Sequence, residues 1–141
     1  MNTLQKELVQ TSFAQIRPIA EAAAALFYRR LFELDPTLRP LFKGDLEEQG
    51  RKLMDMLGLA VKGLDRPEAL MPVLATLGRR HAGYGVKESH YETVGEALLW
   101  TLEQGLGPGF TPEIREAWTT VYKLVADTMR NGGDDNGHVN N

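Results

Sequence analysis

The sequence predicts an all-α protein. Its apolar residues recur at three- and four-residue spacings, no stretch sustains the alternation of a half-buried strand, and helix start and stop signals bracket the periodic segments. The first helix is expected from about Thr3 to Arg17 with Leu4, Leu8 and Ile16 inward, and Pro18 suits the first turn of the next. That second, Ala-rich helix carries Phe27, Leu31 and Leu34 and stops at Asp35-Pro36. A short helical turn with Leu38, Leu41 and Phe42 ends at Gly44. Asp45 and Glu48 have the spacing of a capping box, opening a helix with the apolar stripe Leu46, Leu53, Leu57, Val61 and Leu64. Asp65 and Glu68 repeat that spacing around Pro67. Pro72 cannot donate to the preceding turn, so a fresh helical start is expected near Met71, with a short helix ending in the Gly83 to Gly85 region. Ser89 and Glu92 form a third box before a helix with Val94, Leu98 and Leu102 inward, broken by Gly105-Leu106-Gly107-Pro108-Gly109. Thr111 caps the last helix, Pro112 takes its first position, and Ile114, Trp118, Val121, Val125 and Met129 share one side. About seven helices result. From Asn131 onward apolar content collapses, so residues 1–130 are expected as one domain and 131–141 as a disordered tail.

A chain of 141 residues with 43% apolar content can bury one full core. The formal net charge of -3 argues against a phosphate-binding surface, so nucleic acid is not an expected partner. With no cysteine, disulfides, thiolate ligands and covalent attachment of a haem are excluded. The first residues lack the apolar core of a signal peptide, and no apolar run is long enough for a membrane span, so a soluble, cytoplasmic protein without membrane contact is expected.

One residue breaks the pattern in an informative way. His81 closes the stripe Leu70, Val73, Leu74 and Leu77, placing an imidazole toward the interior. Gln49 interrupts the stripe of the helix opened by Asp45, and Tyr28 lies beside Phe27, Leu31 and Leu34. Three polar groups thus face one apolar space. A flat, largely hydrophobic cofactor carrying a metal would satisfy all three, with His81 as axial ligand and the other two as donors opposite. Read singly, each has a plainer alternative: a core histidine bonded to a carbonyl, a tyrosine sending its hydroxyl to solvent, a first-turn glutamine in water. His138 lies in the tail, and His90, at a helix start, is expected to cap or face solvent.

Several strings in register carry a resemblance: Phe27-Tyr28, Asp35-Pro36, Arg39-Pro40-Leu41-Phe42, Gln49 four residues before Leu53, Arg80-His81 with Gly85-Val86, His90-Tyr91 with Val94-Gly95, and Ala117-Trp118 with Tyr122. Together they resemble bacterial single-domain haemoglobins and the haem domains of flavohaemoglobins over roughly residues 3 to 130. The resemblance implies a globin fold enclosing a haem pocket, with haem b held non-covalently and His81 as the proximal metal ligand. Tyr28 becomes the distal donor to bound O2, and Gln49 a second donor to the ligand or to Tyr28. Phe42 lies against the haem plane, and Leu53, Leu57, Leu77, Val86, Val94 and Leu98 wall the pocket. Arg80, with Arg79 beside it, could pair with propionates, although paired arginines are more often a solvated face. Tyr91 matches a tyrosine that buttresses the histidine, but the glutamate that completes this network in flavohaemoglobins falls at Gly133 here.

The implied chemistry is tight, reversible O2 binding, together with reaction of O2 and nitric oxide to nitrate. O2, NO and other small haem ligands are the expected partners. No Gly-rich dinucleotide turn follows, so an external reductase is expected. A haem-free, partner-binding regulator of the same shape is the alternative.

Overall fold

The computed structural model describes residues 2–139, and side chains from residue 2 to 132. Six α-helices follow in order: α1 (Thr3–Ile16), α2 (Ala20–Leu34), α3 (Leu46–Gly63), α4 (Pro67–Gly83), α5 (Glu88–Leu106) and α6 (Pro112–Val139). A 3-10 turn at Pro36–Leu41 completes the seven helical pieces expected from the sequence, and shorter 3-10 turns sit at Arg17–Ile19 and Gly107–Gly109. No strand occurs among the described residues, nor any helix long and apolar enough to cross a membrane.

The core is built from one stripe of each helix, including Val9, Phe13 and Ile16 of α1, Phe27 and Leu31 of α2, Val61 of α3, Leu74 of α4, Leu102 of α5 and Trp118 of α6. α4 lies along α6, α2 crosses both α3 and α5, and α1 docks on α6. Two glycines permit the closest of these approaches. A Cβ on Gly78 would stand 1.9 Å from the Met129 carbonyl oxygen, and one on Gly132 would stand 2.4 Å from that of Ala75. Gly50 likewise lets α3 reach α2, since its Cβ would meet that of Ala24 at 2.9 Å.

A buried polar link joins the first and last helices. Trp118 Nε1 donates to Ser12 Oγ at 2.8 Å, and that hydroxyl donates in turn to the Leu8 carbonyl. Ser12→Ala would leave the indole N–H without an acceptor in a dry interior. We expect it to cost about 1–3 kcal/mol, measured as a lower denaturant midpoint at unchanged slope.

Several sequence expectations are corrected. Pro72 does not restart the helix: α4 begins at Pro67 and runs through it. The missing N–H leaves only the Glu68 carbonyl unpaired, one turn into the helix on an exposed residue where water can serve it. Val73 is 42% exposed, because contact with α6 centres the buried face of α4 on Leu70, Leu74 and Gly78. Leu4, 64% exposed, lies on the far side of α1 from Val9, Phe13 and Ile16. Leu41 is also about one third exposed, at 36%.

The capping boxes differ as well. Asp45 caps α3 through the Glu47 N–H at 2.9 Å without a reciprocal bond from Glu48. α4 has Arg66 at its N-cap with no side-chain bond, so Asp65 does not cap it. α5 starts two residues early, after Lys87, whose N–H donates to His90 Nδ1 at 3.0 Å. Thr111 caps α6 as expected, accepting from the Ile114 N–H. The expected tail at 131–141 falls largely outside the described side chains; of its residues, Gly132 is buried against Ala75.

Candidate functional site

His81 is gripped from two directions. Its ring Nδ1 lies 2.8 Å from the Leu77 carbonyl oxygen, one turn back along α4. A carbonyl can only accept, so Nδ1 carries the proton, and in the neutral ring the lone pair resides on Nε2. A structural histidine can be held this way, and so is a metal-ligating imidazole, its orientation and basicity set through the nitrogen that does not bind metal.

The second grip comes from the end of the helix. The Val86 N–H donates to the His81 carbonyl and the Gly85 N–H to that of Ala82, both at 3.1 Å. Gly85 has φ +90°, the left-handed conformation that this Schellman closure requires and that glycine adopts without strain. The motif sets Val86 beside His81 and stops α4 where the sequence reading ended it.

Across the fold, Tyr28 is 6% exposed and sits in an aromatic cluster, with Phe42 edge-on at 5.3 Å and Phe32 stacked at 6.1 Å. Burial pushes the phenol's pKa up to about 12, with no hydrogen bond to offset it. The hydroxyl is therefore a donor at any physiological pH. Phe42 is held by its own turn: Asp35 caps that turn at Thr37, and Arg39 Nη1 donates to the Phe42 carbonyl at 2.9 Å while covering the Phe32 ring.

α3 passes over Tyr28 at Gly50, whose Cβ would come within 3.9 Å of the phenol ring. The neighbouring Gln49 is half-buried, and its amide donates to the Lys43 carbonyl at a long 3.5 Å. The structure thus joins Tyr28 and Phe42 and lays α3 on Tyr28, while Gln49 turns to the preceding loop rather than to Tyr28. α3 and α4 meet where Gly63 packs on Leu70, near the short link between them. Of the expected pocket walls, Leu53, Leu57, Leu77, Val86 and Val94 remain half-buried, and Leu98 is buried. Two shallow hollows lie elsewhere on the surface, around Phe13 and Val61 and around Leu64 and Leu124; neither includes His81.

Behind His81 on the chain, Tyr91 is half-buried, and burial raises its pKa while the Arg130 charge opposes that rise. The Arg130 guanidinium lies over the Tyr91 ring, 5.4 Å from its centroid, and pairs with Asp127. The Tyr122 hydroxyl donates to the Tyr91 carbonyl at 2.5 Å, and its ring fills the space left by Gly95, where a Cβ would meet it at 2.8 Å. Burial also pushes the Tyr122 phenol well above its ordinary pKa. The sequence reading gave Tyr122, Asp127 and Arg130 no role. Gly95 was the available signal, a small residue inside a helix. Arg80 is exposed, and His90 serves as the cap already described.

A haem fits these residues. It needs one protein ligand, and among the described residues no three His, Cys, Asp or Glu groups cluster to hold a bare ion. The half-buried apolar side chains suit a flat hydrophobic ring, and no protein hydrogen bond occupies the Tyr28 hydroxyl.

The family model named Globin matches residues 25–129. The chain is a globin. It shares 34% identity with neuroglobin of Danio rerio, spanning 94% of this chain and 92% of that protein. With neuroglobin of Tetraodon nigroviridis it shares 32%, spanning 97% and 95%. A solved engineered carbene transferase, described as a candidate nitric oxide dioxygenase from Rhodothermus marinus, superposes with TM-score 0.87 at 29% identity, covering 99% of this globin and 97% of that chain. A hexacoordinated haem protein from an anhydrobiotic tardigrade shares the fold at TM-score 0.87 and 20% identity, over 95% of this globin and 96% of that chain. Membership implies haem binding and a small gaseous ligand such as O2.

Proposed function

We propose that this globin holds haem b non-covalently through His81 Nε2, binds O2 tightly and reversibly, and converts O2 and nitric oxide to nitrate. Nitrate formation consumes one electron per turnover, which an external reductase returns. The observation that carries the reading is the Nδ1 bond of His81 to the Leu77 carbonyl, which leaves the opposite nitrogen as the free donor. When bound, the haem iron would supply the O2 site and the electron that nitrate formation consumes.

The remaining work falls to side chains. The Leu77 carbonyl holds the imidazole proton and keeps the ring oriented. Tyr28 donates its hydroxyl proton to a ligand that gains negative character, a bond stronger than one between neutral groups. Phe42, Leu53, Leu57, Leu77, Val86, Val94 and Leu98 exclude water. Gln49 supplies a second donor once its weak contact to Lys43 is released. Arg80, one residue before His81 and exposed, pairs with a propionate. Tyr91 backs the proximal side under a cation rather than a carboxylate, an arrangement that supports O2 retention over O–O cleavage.

Within the globins, we place the chain with bacterial single-domain haemoglobins of the flavohaemoglobin haem-domain kind, resembling Hell's Gate globin. The likeness to the Rhodothermus marinus protein supports that choice. Mixing the oxygenated protein with nitric oxide in a stopped-flow instrument tests it. One nitrate per haem is expected in a single mix, with sustained nitrate production once a flavin reductase and nicotinamide are added. No nitrate in either arm would reduce the function to O2 binding.

A further inference from the structure

The helix bearing His81 is pressed against α6 where its orienting carbonyl is made. The peptide bond that supplies the Leu77 carbonyl joins Leu77 to Gly78, and Gly78 is the residue that abuts the Met129 backbone. We infer that Gly78 is a positioning residue: the backbone of α6, through this contact, sets the Leu77 carbonyl and hence the angle of the His81 ring. The inference rests on His81 being the haem ligand for its functional meaning, but the mechanical link is a property of the protein alone.

The geometry leaves little freedom. A Cβ on Gly78 would lie 1.9 Å from the Met129 oxygen and 2.6 Å from both its carbonyl carbon and its Cα, all backbone atoms that cannot swing aside. Restoring ordinary contact requires the helices to part by about 1.5 Å. A second clamp stands further back on α4, where a Cβ on Gly132 would come 2.4 Å from the Ala75 carbonyl oxygen and 2.6 Å from its Cα. Beyond His81 the helix is closed by the Gly85–Val86 bonds, so displacement of α4 at Gly78 is forced into the segment between, which is the segment carrying the imidazole. Gly83, on the same helix, has open space about it and serves as the control.

The test compares wild type with Gly78→Ala, Gly132→Ala and Gly83→Ala. In the haem-free full chain, nitrogen-15 NMR of the His81 ring reads the Nδ1 proton. Exchange of that proton with water should accelerate at least about tenfold in Gly78→Ala and, more weakly, in Gly132→Ala. Gly83→Ala should leave it unchanged. In the haem-loaded protein, the iron–histidine stretching band should shift, and haem transfer to an excess acceptor should run about 10–100-fold faster, as for loss of other partners behind a ligating histidine.

Should Gly78→Ala fail to fold, the peripheral Gly132→Ala decides. A folded variant with wild-type ring exchange and an unmoved stretching band overturns the inference, as does an equal change in Gly83→Ala. If no variant or wild type takes up haem, yet Gly78→Ala still frees the ring proton, the link stands and the haem assignment falls.

Discussion

His81→Ala is expected to give a folded, colourless protein. With His81 as the proposed haem ligand, the substitution removes the bond to iron, and affinity should fall by more than roughly 100-fold, beyond what loss of a supporting partner costs. The fold itself should survive. The ring is half-buried, and the Leu77 carbonyl keeps its helical partner, the residue 81 N–H. Purified wild type should show a Soret band and the variant none, with matching helical circular dichroism. In His81→Gly, free imidazole should restore the band. A wild-type protein that folds without colour would instead support the haem-free regulator.

Tyr28→Phe should accelerate O2 dissociation at least tenfold, about 1.4 kcal/mol, because it deletes a charge-assisted hydrogen bond and little else. Packing is retained: the ring still meets Phe27, Phe32 and Phe42 at the centroid distances of 5.2, 6.1 and 5.3 Å. The pH dependence has a definite sign. With its folded-state pKa raised from 10.0 to about 12, Tyr28 keeps its proton and the wild-type off-rate stays flat through neutral and mildly alkaline pH. The stability Tyr28 confers is full below pH 10, where the unfolded phenol is also protonated, and is lost as pH climbs through 12. Phenylalanine removes that contribution to alkaline unfolding. Stopped-flow release of O2 and denaturation curves at pH 8 and 11 measure both effects, and an unchanged off-rate would remove Tyr28 from the ligand's side of the pocket.

The all-α class, the order of the helices and the place of His81 were legible because each depends on short-range pattern: apolar spacing, a proline or glycine at a boundary, one imidazole on a stripe. What failed was set by neighbours distant in the chain. Val73 belongs to the stripe by spacing, but α6 fixes which side of α4 is buried, and Val73 falls at its edge. Pro72 reads as a break, yet a proline one turn into a helix costs one exposed carbonyl bond. Arg130 over Tyr91 could not be read from either residue alone, since 39 positions separate them.

The bond between Ser12 and Trp118 spans 106 positions. During ribosomal synthesis Ser12 therefore has no indole to accept from until the chain has been made past residue 118, and closing so large a loop carries a high entropic cost. The helices that carry residues 12 and 118 must find each other before Trp118 leaves water, which makes its fluorescence a reporter of that long-range closure rather than of early collapse.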